Sequence, residues 1–383
     1  MSVASSLPPI HFNRPAIVGR ELEYIQEAVR VGHLSGDGGY TRRCHAMLEA
    51  ITGAAKVLLT TSCTHALEMW ALLADLGPGD EVICPAFTFV SSVNAFVLRG
   101  ARPVFVDVRA DTLNLDERLI EAAITPRTRA ILVVHYAGVG CEMPAIMAIA
   151  DRHGIGVVED NAHGLFGQHD GRVLGSFGQM SALSFHETKN LTCGEGGALV
   201  INDPAFIERA EVLREKGTNR SRFFRGQVDK YTWVDVGSSY LPSDMLAAYL
   251  CAQLEERDAV QAQRHRIWDR YDRGLADWAD RQGVRRPIVP AHCAHPAHIY
   301  YLLMPSLEAR TCVIAELRRA MILATFHYQP LHLSDMGRRF GGQDGQCPVT
   351  EDVSDRLVRL PVYFGLSADE QARVIDTLTA FAV

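Results

Sequence analysis

The chain has 383 residues, 48% of them hydrophobic and 22% charged, with a formal net charge of -7. That length and composition suit one large domain plus a smaller one, each with a full core, and the negative balance argues against broad adhesion to nucleic acid or to a membrane surface. Nine cysteines, dispersed and without a Cys-x-x-Cys pair, fit reduced core thiols better than a disulfide frame.

Residues 1–15 lack the charged start and apolar core of a secretory leader, and no segment approaches eighteen uninterrupted apolar residues. A cytoplasmic protein without membrane spans is therefore expected. Leu22, Ile25, Ala28 and Val29 mark one face of a first helix. Short apolar, β-branched runs follow at 57–59, 81–84, 104–108, 131–135, 155–159, 182–185 and 198–201, mostly with helical stretches between them. Continuous apolar runs imply strands covered on both faces, so the fold class is α/β: a mostly parallel sheet flanked by helices. Ser243 and Asp244 open a long helical stretch that runs past Trp268 toward Trp278 and links this domain to a second one. The expected division is 1–245 for the large domain and 246–383 for the linking helix and a smaller C-terminal α+β domain. The latter should hold strands at 299–304 and 325–328, a helix at 315–321 and a terminal helix from Ala368.

Only four lysines occur, Lys56, Lys189, Lys216 and Lys230. Arginine cannot serve as an amine nucleophile at ordinary pH, so covalent amine chemistry must use one of these four. Lys189 alone stands between an apolar strand and a glycine cluster, in Ser184-Phe185-His186-Glu187-Thr188-Lys189 followed by Gly194-Glu195-Gly196-Gly197. Ligands of open parallel sheets sit at the carboxyl ends of strands, and there fall Thr61 to Thr64, Asp160 and Lys189. Pyridoxal phosphate needs an amine for a Schiff base, a carboxylate beside its ring nitrogen, and a helix N-terminus for its phosphate. Lys189, Asp160 and Ser62-Cys63-Thr64 offer all three. Each alone has a plain reading, as surface lysine, turn aspartate or helix cap; their joint occurrence points to the cofactor.

Four segments, Ser184-Phe-His-x-x-Lys189 with its glycine tract, Glu159-Asp160-Asn-Ala-His163, Pro85-Ala-Phe-Thr-Phe89 and His327-Tyr-x-Pro-x-His332, resemble the DegT/DnrJ/EryC1/StrS sugar aminotransferases, within the fold-type I enzymes that use pyridoxal 5'-phosphate. The resemblance spans nearly the whole chain. It implies Lys189 as Schiff-base residue and proton carrier, Asp160 beside the pyridinium, Phe89 on the ring, His163 near the ring oxygen, and Cys63, Thr64 and Ser184 at the phosphate. The chain departs from the family in two places. Cys63-Thr64 stands where much of the family has Gly-Thr, and Ser239 where many members send an asparagine to the partner's phosphate.

Gly36-Asp-Gly-Gly-Tyr40-Thr-Arg-Arg43, His135-Tyr-Ala-Gly138 and the basic run from Lys216 to Tyr231 look like the subgroup that includes the transaminase of enterobacterial common antigen synthesis. That likeness implies L-glutamate as donor, the C4 ketone of dTDP-4-dehydro-6-deoxy-D-glucose as acceptor, and a homodimer with shared active sites. It also implies substrate contacts at His135, Tyr136, Arg220, Arg222, Lys230, Tyr231 and His327. The product can be gluco or galacto at C4, and the pathway surface polysaccharide or natural-product glycosylation. Rivals are an aminotransferase for another keto sugar nucleotide, a dehydratase, which in the family carries histidine in place of the lysine, and a regulatory or binding protein on the same fold. His292-Cys293-x-His295-x-x-His298 has a superficial metal pattern, but Pro296 and the irregular spacing argue against zinc there, and no metal is expected.

Overall fold

The computed structural model describes residues 8 to 382, so the first seven residues, which open the segment read as leader-free, lie outside the described residues. The strands in chain order are β1 (Lys56–Thr60), β2 (Glu81–Pro85), β3 (Arg102–Val106), β4 (Thr128–Val134), β5 (Gly156–Asp160), the short β6 (Gln168–His169) and β7 (Arg172–Val173), β8 (Met180–Ser184), β9 (Gly197–Ile201), β10 (Cys293–Ala294), β11 (Tyr300–Leu303) and β12 (Leu357–Leu360). Between them run α1 (Glu21–Val31), α2 (Gly39–Thr52), α3 (Cys63–Leu73), α4 (Val90–Val97), α5 (Glu117–Ala123), α6 (Met143–His153), α7 (Ile207–Arg214), α8 (Arg220–Phe224), α9 (Asp244–Glu255), α10 (Arg257–Gln282), α11 (Leu307–Arg319), α12 (Asp335–Arg339), α13 (Pro348–Arg356) and α14 (Ala368–Thr379).

Seven strands form one sheet in the order β1-β9-β8-β5-β4-β2-β3. β3, β2, β4, β5 and β8 are mutually parallel, while β9 runs antiparallel to both β1 and β8. One face is packed by Leu67 and Trp70 of α3, Phe96 of α4 and Leu213 of α7. The other is packed by Leu48 of α2 and Leu250 of α9 over β1, β8 and β9, and by Ile120 of α5 and Ile146 of α6 over β2 to β5. Burial on both faces is why the strand sequences are continuously apolar.

Four expectations are corrected by the packing. The stretch from residue 243 to Trp278 is two helices, because Glu256 leaves helical geometry (φ -97, ψ 14). α9 packs into the large core, and the smaller core begins with Ile267 in α10 and also holds Ile10, so the division expected at residue 246 falls inside α10, between Val260 and Ile267. Residues 325–328 form no strand; Thr325 makes a single bridge to Arg359 and the chain then turns into the cleft. On α1, Leu22 and Val29 are 71% and 53% exposed, while Tyr24 and Ala28 face the core. The remaining expected strands coincide with observed ones to within three residues, and the helix expected at 315–321 is the end of the longer α11.

The start of α2 is fixed by Asp244, 2% exposed, whose carboxylate accepts from the backbone N–H of Tyr40 and Thr41 at 3.2 and 2.8 Å and from the Thr41 hydroxyl at 2.7 Å. Removing it strands three donors in the interior. Asp244→Ala should therefore cost ~2–4 kcal/mol of stability, read as a lowered thermal midpoint, with Asp244→Asn intermediate between it and the parent.

Candidate active site

Strand β1 ends at Thr60, and the chain turns into α3 with Ser62 as its N-cap, the Ser62 hydroxyl accepting from the His65 N–H at 3.1 Å. The first-turn N–H groups of α3 that lack helical acceptors make an anion-binding end there. Gly197 of β9 lies so close that a Cβ on it would collide with the backbone of Ser62 and Cys63, so glycine is required for this approach. The Thr64 hydroxyl donates to Ser91 Oγ at 3.0 Å, and Ser184, the last residue of β8, also faces the opening.

Asp160 ends β5. Its Oδ2 accepts from the Ser92 hydroxyl at 2.6 Å and its Oδ1 from the Ala162 N–H at 3.1 Å, so two donors fix the carboxylate in place. Lys189 follows β8 through a turn closed by its N–H on His186 O at 2.9 Å. Burial lowers its ammonium from 10.5 to about 8, against the pull of Cys63 and Asp160 in the opposite direction. The same burial raises the Cys63 thiol well above its ordinary value. His163 packs against His298 with ring centroids 4.5 Å apart and the rings tilted by 34°, and His298 Nδ1 bonds Asn190 Oδ1 at 2.8 Å. Desolvation holds both imidazoles well below their ordinary range, reinforced in both by Lys189 and Arg359 and in His298 also by His163, so they are neutral.

Lys189, Asp160, Cys63, Thr64, Phe89, His163, Ser184 and His327 all line one cleft of ≈ 500 Å³ between the large and small units. Phe89 is 55% exposed at its lip. The other expected residues lie elsewhere. His135 has no exposed surface and bonds Glu159 Oε2 at 2.9 Å, behind the strand ends, so its assignment as a substrate contact is corrected. Tyr136 is likewise buried, one layer back, its hydroxyl 2.8 Å from His327 Nε2. Arg220, Arg222 and Arg225 pair with Glu215, Glu208 and Glu211 beside α7, and Lys230, Tyr231 and Ser239 are exposed; none of the six lines this chain's own cleft.

Arg359 was missed in the sequence because it sits inside the short apolar strand β12. It lines the cleft, donates to His327 Nδ1 at 3.2 Å, and its buried Nε has no acceptor among the described residues. With Nδ1 accepting, neutral His327 carries its proton on Nε2 and donates it to the Tyr136 oxygen. His163 Nδ1 is a second unpartnered buried atom at this site. An amine of lowered proton affinity, a doubly supported carboxylate and a hydroxyl-rich helix N-terminus, converging on one cleft with polar atoms awaiting partners, fit pyridoxal 5'-phosphate.

A model of the DegT/DnrJ/EryC1/StrS aminotransferase family matches residues 15–379. The spore coat polysaccharide biosynthesis protein SpsC of Bacillus subtilis is 32% identical over 375 residues, covering 96% of this chain and 95% of that protein. Spr1654 of Streptococcus pneumoniae in its PLP form superposes with a TM-score of 0.90 at 28% identity, over 97% of this chain and 98% of that one. The same protein is known in a pyridoxamine phosphate (PMP) form. DesV of S. venezuelae, in complex with a ketimine intermediate, superposes with a TM-score of 0.89 at 30% identity, over 98% and 99% of the two chains. This chain belongs to the DegT/DnrJ/EryC1/StrS aminotransferase family and is a fold-type I, pyridoxal-phosphate-dependent sugar aminotransferase.

Proposed function

We propose that the protein transfers an amino group from L-glutamate to the C4 ketone of dTDP-4-dehydro-6-deoxy-D-glucose, giving a dTDP-4-amino-4,6-dideoxyhexose. The observation that carries the chemical part of this reading is a desolvated amine, Lys189, sharing one cleft with the buried carboxylate of Asp160. Pyridoxal phosphate, when bound, supplies the carbonyl that receives the amine and an electron-withdrawing ring. In this reading Lys189 Nζ would hold that carbonyl and would carry the proton to and from the reacting carbon. Asp160, held in place by hydrogen bonds from the Ser92 hydroxyl and the Ala162 N–H, would face the ring nitrogen. Phe89 would cover the ring, neutral His163 would meet the ring oxygen, and Cys63, Thr64 and Ser184 would hold the phosphate at the start of α3.

Arg359 is assigned to a carboxylate of glutamate, since it is a cation in the cleft with a free donor and is oriented by His327. The nucleotide-sugar assignment is supported by the likeness of residues 36–43, 135–138 and 216–231 to the dTDP-sugar subgroup, and by the polysaccharide role in the name of the relative SpsC. A homodimer is proposed with it. Ile17, Leu22, Val29 and Val31 beside and along α1, and Phe224 and Trp233 near the basic run, are large apolar side chains more than half exposed in the single chain. In a dimer, Arg220, Arg222, Lys230, Tyr231 and Ser239 would serve the neighbouring copy's cleft.

Lys189→Ala and Lys189→Arg should both abolish turnover while circular dichroism stays that of the parent; steady-state activity in either would remove the mechanism, and NMR of the product made from glutamate and dTDP-4-dehydro-6-deoxyglucose tests the substrate. Arg359→Ala should raise the KM for glutamate tenfold or more, about 1.4 kcal/mol or above, with the acceptor's KM little changed. Because Lys189 titrates near 8 when folded and near 10.5 when unfolded, the unfolded chain binds more protons across that window. Apoprotein stability should therefore rise with pH between those values. The rate at which apoenzyme takes up pyridoxal phosphate, which needs the neutral amine, should rise through pH about 8 and level off above it; an inflection near the free-lysine value would contradict the desolvated site. Light scattering should give a dimer, and a catalytically competent monomer would refute the shared site.

A further inference from the structure

Away from the cleft, His169, His292 and Cys293 each direct one ligand-type atom into a space where all these atoms lie within 4.8 Å of one another. His169 and Cys293 are register partners on the antiparallel pair β6–β10, so their side chains leave the ladder on the same face. The carboxylate of Glu142, the residue before α6, reaches both imidazoles: Oε2 is 3.5 Å from His169 Nε2 and Oε1 is 3.2 Å from His292 Nε2. His169 is 3% exposed, yet neither of its ring nitrogens has a hydrogen-bond partner among the described residues. A buried imidazole with both nitrogens unsatisfied is costly unless something else occupies them.

We infer that His169, His292, Cys293 and Glu142 form a binding site for a zinc-class divalent cation. Two imidazoles, a thiolate and a carboxylate make a four-donor set of mixed nitrogen, sulfur and oxygen, which suits tetrahedral zinc and excludes calcium or magnesium, whose ligands are oxygens. Tetrahedral zinc with bonds of 2.0–2.3 Å spaces its ligand atoms roughly 3.3–3.8 Å apart, so the side chains close in by about 1 Å on binding. Thiolate and carboxylate together offset the ion's two charges, and binding releases the Cys293 thiol proton to solvent. The Asp170 carboxylate lies 3.6 Å from His169 Nδ1, placed as the outer acceptor that fixes a ligating imidazole. The run of histidines near Cys293 concealed this set: His295 turns onto Trp268 and His298 onto Asn190, while the other ligands come from β6 and from the start of α6. The ion would clip the loop after Asp160, which carries His163, to the segment leading into His298, whose ring packs against His163 in the cleft.

The test uses tag-free holoenzyme. Mass-spectrometric metal analysis after dialysis against zinc should find one ion per chain. Titration with cobalt(II) should give a near-ultraviolet thiolate band and tetrahedral ligand-field bands in the red, clear of the cofactor. Cys293→Ser should lose the thiolate band and weaken zinc binding more than about 100-fold, while Cys312→Ser, at an exposed cysteine, should change neither. Absence of zinc and of cobalt bands in the parent overturns the inference whatever the variants do, and so does a band that survives Cys293→Ser. Should Cys293→Ser fail to fold, Glu142→Gln replaces it: unaltered ligand-field bands and zinc affinity in that variant overturn the four-ligand site.

Discussion

Glu159 is a carboxylate with no exposed surface, and the placement of the groups in the cleft rests on how it is hydrogen-bonded. It accepts from the backbone N–H of Gly175, Phe177 and Gly178, each at 2.7 Å, and is bonded to His135 at 2.9 Å. A buried carboxylate lacking such donors would be several kcal/mol less stable, so the ends of β4 and β5 and the turn that feeds β8 are held in a single arrangement. Side chains alternate along a strand. With Glu159 pointing into the scaffold, Asp160 points the other way, into the cleft. The parallel register Asp160↔Ala182 then sets the exit of β8, and with it the turn to Lys189, beside that carboxylate.

The cleft's charge follows from what burial permits. Lys189 and Arg359 are cations facing one buried carboxylate, and the imidazoles of His163, His298 and His327 are kept neutral by desolvation. Such a cleft attracts phosphate and carboxylate groups. It also explains why Lys189 loses its proton so readily: removal from water costs more than Asp160 returns.

Lys189, Asp160 and the Cys63-Thr64 turn were legible because all three follow apolar strands, and the geometry of a parallel sheet brings such positions together. His135 and Tyr136 also follow a strand, yet both are buried and neither lines the cleft, since position after a strand does not say which face a side chain takes; Glu159 draws His135 behind the sheet. Arg359 was hidden because an arginine within a short apolar strand has no local signature of facing a cleft formed only when two units pack. Leu22 and Val29 show the same limit in α1: helical periodicity finds an apolar stripe without telling core from outer surface, and Tyr24 took the core instead. The division between units was misplaced because α9 and α10 read as one helix, and only their separate packing distinguishes them.

One strand of the main sheet runs against its neighbours, and that inversion shapes the cleft. β9 enters at Gly197, opposite Ser184 on one side and Thr60 on the other. An inverted strand has its beginning where its neighbours have their ends, so the tract Glu195-Gly196 arrives at the floor of the cleft instead of the far rim. Part of the cleft floor is therefore Gly196 main chain, with the Glu195 carboxylate beside it turned toward His186, and any insertion in that tract would narrow the chamber directly.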